Sequence, residues 1–240
     1  MQSISKSATI AKTAVIHDGV TIGDNVIVHD YVVIYPGVSI GAGTEIFDHC
    51  VIGKYPTSPG STARPLKDDY APVLIGEYCV LCPGVVLYIG TTIGEHTLLG
   101  DFCSIREDCN VGKYCIISRN VSVNYETTIG DYTKIMDNTH ITGNMQIGSH
   151  VFISVLVATT NDNGMGRDGY DRDEIYGSII EDYVTVGASA NILPKVRIGR
   201  NSIIGASALI TKNVAPNSVM MGIPARLVRT IESREEDVAE

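Results

Sequence analysis

The chain has 240 residues, 44% of them apolar, and a formal charge of −9. That is enough for one sizeable domain with a real core, and it excludes a disordered chain; the acidic balance argues against nucleic acid or an anionic membrane as partner, since both need a broad basic field. Aromatics make up only 6%, Trp is absent and Gly occurs 24 times, so aliphatic and small side chains must fill the interior, as in repetitive structures.

The first residues, MQSISKSATIAKTAVIHDG, are broken by Ser, Lys and Thr before an export signal's apolar run can form. No segment is apolar enough to cross a membrane, and the expected location is cytoplasmic. From Ile4 an aliphatic residue occupies every sixth position to Ile52; the beat resumes from Ile75 to Ile153 and again from Ile180 to Ile210. Aliphatic-Gly pairs recur with a period of 18, as at Ile75-Gly76, Ile93-Gly94 and Val111-Gly112. A period of six fits neither a helix nor a plain hairpin strand, but it fits short strands joined by tight Gly-bearing corners, three to a coil. Residues two before a slot are usually small, such as Ala8, Thr127 and Ala208. Together these predict an all-β parallel β-helix of about nine to ten triangular coils, roughly 45 Å tall at about 4.8 Å per coil.

Two segments break the beat, 54–72 and 160–178, both rich in Gly, Pro, Asp and Ser. They read as extruded loops, and loops this long on a regular solenoid are usually functional. After Ile210 the repeat dissolves, which divides the chain into a solenoid over 1–212 and a C-terminal segment over 213–240 whose last twelve residues form a short charged helix. Five of the six cysteines (Cys50, Cys79, Cys103, Cys109, Cys115) fall on the small inward position and read as buried thiols acting as small hydrophobes. Cys79-x-x-Cys82 lacks a second pair, so no metal is expected.

His17, His29, His49, His96 and His150 fall at turns, where a polar side chain is simply solvated. His140 immediately precedes a slot and points outward from a strand. Stacking residues 18 apart places Ser104 to Asp108 below Ser122 to Glu126, and those below His140 to Asn144. One edge thereby gathers Arg106, Glu107, Asn124, Tyr125, Glu126, His140 and Asn144. The same arithmetic stacks Asp101, Arg119 and Asp137 in a charge ladder, and bordering His140 it would raise the imidazole's basicity.

The hexads, with the run Asn213-Val214-Ala215-Pro216-Asn217-Ser218-Val219-Met220-Met221-Gly222-Ile223-Pro224-Ala225-Arg226, resemble the hexapeptide-repeat acyltransferases. The resemblance implies a left-handed β-helix, a homotrimer with active sites between subunits, and acyl-CoA lying along the coils. Segments 100–108 and 120–131 and the first loop are most similar to sugar N-acyltransferases that act on nucleotide-linked amino sugars for surface polysaccharides such as lipopolysaccharide. The chain departs from the lipid A and acetylglucosamine-uridylate types, having no sizeable helical C-terminal domain and no fused nucleotidyltransferase.

Acyl transfer from a thioester to an amine needs a neutral amine and a route for its proton. His140 suits the base, with Asp101, Glu126 and Glu107 in reserve; some relatives implied by the resemblance use an acidic residue or no protein base. Arg64, Arg106, Glu107, Asn124, Tyr125 and Asn144 would hold the sugar and its phosphates. Stacked Gly187-Ala188 and Gly205-Ala206 would give the pantetheine arm a smooth groove, while Lys212 and Arg226, with Pro224 beside them, would meet the CoA phosphates. Three other readings compete: O-acylation of a sugar or antibiotic, a γ-carbonic-anhydrase-like metalloenzyme needing three convergent histidines, and a non-catalytic scaffold that binds no CoA.

Overall fold

A computed structural model describes residues 3–61, 65–167, 169 and 175–233. Each slot becomes the second residue of a short strand, the first three being Ser3–Ile4, Thr9–Ile10 and Val15–Ile16. The period of 18 sets the register: Ser3 pairs with Thr21 and Ile4 with Ile22, in parallel. Every third strand joins the same sheet, giving two sheets of ten strands and one of twelve. They are called here the first, second and third sheets, after Ser3–Ile4, Thr9–Ile10 and Val15–Ile16. Ten complete coils form a three-sided parallel β-solenoid, and Val214, bridging to Ile198, begins a partial further turn. The coil count is therefore slightly above the nine to ten expected.

The slot residues fill the interior; Ile34, Ile105 and Ile141 are all completely buried. The small residue two positions earlier is also inward, and it has a second task. Thr97 Oγ1 donates to Gly112 O at 2.9 Å, Thr133 Oγ1 to Gly148 O at 2.8 Å, and Cys115 Sγ to Gly130 O at 3.2 Å. These carbonyls lie at corners outside the strand ladders, so a buried side-chain donor is what satisfies them. Of the five buried cysteines, Cys50, Cys79, Cys109 and Cys115 are thus weak donors as well as small hydrophobes, and burial pushes the Cys50 thiol up to about 12.

Glycine's place at the corners has a different cause from the conformational freedom expected. The left-handed residue is the one three after the slot, and it is often not glycine: His96 has φ 55°, Tyr114 55° and Asn138 59°. Glycine directly after the slot is required by close approach, because a Cβ on Gly94 would lie 2.6 Å from the backbone of the next coil.

Both long loops leave the same corner, between the third and first sheets, after Val51–Lys54 and after Ala158–Thr159. At the far end Ser218–Gly222 extends the second sheet in parallel and pairs antiparallel with Ala225–Thr230. The charged helix expected over the last twelve residues is not formed at their start, where Arg229 and Thr230 are strand; residues 234–240 lie outside the described residues. Among the described residues no helix is long and apolar enough to cross a membrane.

Candidate functional site

The corner between the third and first sheets, bounded by the two loops, collects polar side chains from consecutive coils. Tyr88 lies between two cations, with Lys54 Nζ 5.1 Å and the Arg106 guanidinium 4.9 Å from the ring centre. Arg106 also forms a two-pronged bond with Glu107, Nε to Oε2 at 2.7 Å and Nη2 to Oε1 at 3.0 Å. Glu107 is completely buried, so its carboxylate fixes Arg106 from beneath. Arg106 is only half-buried and carries the exposed part of the pair.

One coil up, the Tyr125 ring lies against Gly143, where a Cβ would come within 2.6 Å of it. Its hydroxyl is 3.5 Å from Asn161 Nδ2 at the root of the second loop. Asn124, Glu126 and Asn144 are half-buried on the same corner. Asp108 and Glu126 occupy equivalent turn positions in successive coils, both left-handed. Lys67 reaches in from the first loop to hold them, with Nζ 2.6 Å from Asp108 Oδ2 and 3.3 Å from Glu126 Oε1. The bond to Asp108 raises the lysine's pKa, so it stays charged. Arg64 lies outside the described residues.

His140 projects from the third sheet, in register with Ser122 below and Ala158 above. Its Nδ1 is 2.7 Å from Ser122 Oγ, and its Nε2 has no hydrogen-bond partner among the described residues. Half-burial lowers its pKa, contrary to the raised basicity expected from the charge ladder. The reason is geometric. Asp101 lies two coils below His140, roughly 10 Å at the usual strand spacing, and Asp137 is held by Arg119, Nη2 to Oδ2 at 2.5 Å. Asp101 and Arg119 belong to the corner before the third sheet, and Glu126 to the corner after it.

Gly187-Ala188 and Gly205-Ala206 stack at the corner between the second and third sheets. The missing Cβ of Gly187 would meet Ala206 N at 2.5 Å and that of Gly205 would meet Met221 Cγ at 2.8 Å, so these glycines serve coil stacking directly. At the top of the prism a cavity of about 340 Å³ is lined by Lys212, Asn213, Arg226 and the hairpin residues Met220, Ala225 and Leu227. Pro224 forms the hairpin turn through a cis bond from Ile223.

The other histidines are not simply solvated. His17 stacks on Tyr35, His29 on Phe47 and His49 on Tyr31, while His96 and His150 join a column of rings. A turn residue repeated every coil meets its counterpart face to face, which removes one face from water. Among the described residues no three His, Cys, Asp or Glu side chains converge as a metal site. Lys54, Lys67, Tyr88 and Asn161 join the site without having stood out in the sequence. Tyr88 stands 18 before Arg106 and was open to column arithmetic; Lys67 lies off the repeat and carries no such signal.

A model of the bacterial transferase hexapeptide, six repeats, matches residues 19–54, 90–124 and 177–212. A galactoside O-acetyltransferase of Escherichia coli is 43% identical over 53 residues, 22% of this chain and 26% of that protein. A 2,3,4,5-tetrahydropyridine-2,6-dicarboxylate N-acetyltransferase of Clostridium perfringens is 36% identical over 62 residues, 26% of each. The chain thus spans about a quarter of the length of these curated relatives. Among solved structures, an Arabidopsis UDP-N-acetylglucosamine acyltransferase superposes with TM-score 0.63 at 18% identity, covering 95% of this chain and 74% of that one. The unbroken beat of six, the stacked three-sided coils and the matched segments agree: residues 19–54, 90–124 and 177–212 of this chain are built from the hexapeptide repeats of bacterial transferases.

Proposed function

We propose that the protein is an acyl-CoA-dependent N-acyltransferase, most simply an N-acetyltransferase, whose acceptor is the amino group of a nucleotide-linked sugar. The observation that carries this reading is His140, a half-buried imidazole with Nδ1 engaged and Nε2 available on the face beside a corner rich in hydrogen-bonding groups. Transfer forms an N–C bond and breaks the thioester C–S bond. The amine's proton passes to His140 Nε2 and then to the departing thiolate, so the imidazole must be neutral when the acceptor arrives, which its lowered pKa favours.

In this reading Arg106 meets the acceptor's phosphate, Arg being suited to paired contacts with oxyanions, and Asn124, Tyr125 and Asn144 meet sugar hydroxyls. Glu107 acts through Arg106, and Glu126 through the corner it shares with Lys67. Lys212 and Arg226, both exposed cations beside the terminal cavity, fit the phosphates of CoA. A homotrimer would bring a second copy against the His140 face and complete the crevice. The fold's similarity to an acyltransferase of UDP-N-acetylglucosamine and the N-acetyltransferase relative support the class of reaction.

A thiol-release screen of acyl-CoAs against nucleotide-linked 3-amino and 4-amino sugars tests it, with turnover expected on an amino sugar. The galactoside O-acetyltransferase relative favours a second reading, a hydroxyl acceptor. Silence from every amino sugar alongside turnover of hydroxyl acceptors would select that one. Folded protein that releases no thiol with any acceptor overturns both.

A further inference from the structure

The bond between His140 Nδ1 and Ser122 Oγ joins two side chains fixed on neighbouring strands of one sheet, in direct register. Such a partner usually orients an imidazole, and in many sites it is a carboxylate, which also raises the ring's pKa by stabilising the imidazolium. Here the partner is neutral. The two strands that flank His140 also place uncharged residues in register with it: Ser122 from below and Ala158 from above. Arg119 and Asp137, on the preceding corner, are paired with each other, and burial is the one cause of the imidazole's downward shift.

Resting on the acyltransferase reading, we propose that Ser122 is the positioning residue of the reaction: its Oγ accepts a hydrogen bond from Nδ1–H of His140, which fixes that tautomer and leaves Nε2 as the basic nitrogen without adding charge. Protonation at Nε2 then leaves the Nδ1–H to Oγ bond intact, so the ring holds its orientation through the proton transfer. The hydroxyl orients the base without strengthening it. A carboxylate in its place would hold the imidazolium and keep the base occupied at a higher pH.

Nitrogen-15 and proton NMR of His140, with the pH dependence of kcat, tests this on Ser122→Ala, Ser122→Thr and Ser122→Asp. In the native protein the ring is expected to carry its proton on Nδ1 when neutral and to titrate below the ordinary histidine value of about 6.5. Ser122→Ala should mix the tautomers and lower kcat about tenfold while leaving KM for the acceptor within about twofold, a loss smaller than removal of a general base. Ser122→Thr retains the oxygen and should restore both. Ser122→Asp should move the titration up by about one unit or more, with the acid limb of the rate profile following it. The proposal is overturned if Ser122→Ala keeps a single Nδ1–H tautomer and an unchanged kcat, or if the native neutral ring carries its proton on Nε2. The NMR results do not depend on turnover. Expected tautomers and titrations in a protein that transfers no acyl group would sink the acyltransferase reading and leave the pairing standing.

Discussion

Two corners of the prism use the same backbone turn for opposite ends. Between the first and second sheets, the left-handed residue of successive coils is Tyr78, His96, Tyr114, Tyr132, His150 and Tyr183. Their rings stack at 4.7–5.1 Å within 14° of parallel, and Arg200 closes the column 4.7 Å from Tyr183. The column even bridges the second loop, since His150 and Tyr183 are neighbours in space at 4.8 Å. Between the third and first sheets the same turn position holds Gly90, Asp108, Glu126 and Asn144. There like charges stand in adjacent coils, an arrangement that costs energy without a counter-ion, and a lysine from an inserted loop supplies one. The first corner repeats because its only task is to stack. The second does not, because each coil contributes a different group to one place.

The comparison breaks most sharply at His140, beside the second corner. His140→Ala should lower turnover by about 10²–10⁴ if the imidazole is the general base, with the melting midpoint nearly unchanged because the ring is only half-buried. Turnover close to native would remove His140 from that role and direct attention to Glu126.

Gly94→Ala tests the tight coil stacking of the ring-column corner, where glycine follows the slot; at the second corner that place holds Tyr88, Arg106 and Asn124. The added methyl would sit 2.6 Å from the next coil's backbone, so coils must separate and stability should fall by about 1–3 kcal/mol, as in other overpacked interiors. A chemical denaturation midpoint equal to native would show that the coils have slack. Tyr114→Ala, in the middle of the ring column, removes two ring pairs and should also cost about 1–3 kcal/mol, at about 0.5–1.5 kcal/mol per pair. Its turnover per folded molecule should be native, since the column is remote from His140. Lost turnover without lost stability would mean that the ring column belongs to the site.

What the sequence reveals follows the same division. The interior was legible because Ile, Val and Leu every six residues leave one solution for burial, and the register of 18 placed Arg106, Asn124 and His140 in adjacent coils. Column arithmetic also contained the ring stack, though His96 and His150 look like ordinary turn residues until Tyr78, Tyr114 and Tyr132 are set beside them. Glu107 looked like a substrate ligand because sequence gives the column of a side chain but not its depth, and its carboxylate is wholly buried under Arg106. Asp101 looked like a partner for His140 because both belong to neighbouring columns, and counting coils separates them. Lys67 was beyond reach: its position depends on how the first loop folds back over two coils, and no period governs a loop.

The smallest effect is expected at Asp137. It shares an exposed ion pair with Arg119 on the corner preceding His140, and that pairing holds its carboxyl below the usual carboxylate range. Whatever the pair contributes is therefore present at neutral pH and is lost only as pH falls through the acid range in which Asp137 takes up a proton. Exposed pairs gain little, being screened by salt and paid against side-chain freedom. Asp137→Asn should leave both the melting midpoint and the pH dependence of turnover where they are at physiological ionic strength. A displaced acid limb in this variant would show that the ladder's field reaches the imidazole, and the corner before the third sheet would then have to be counted with the corner after it.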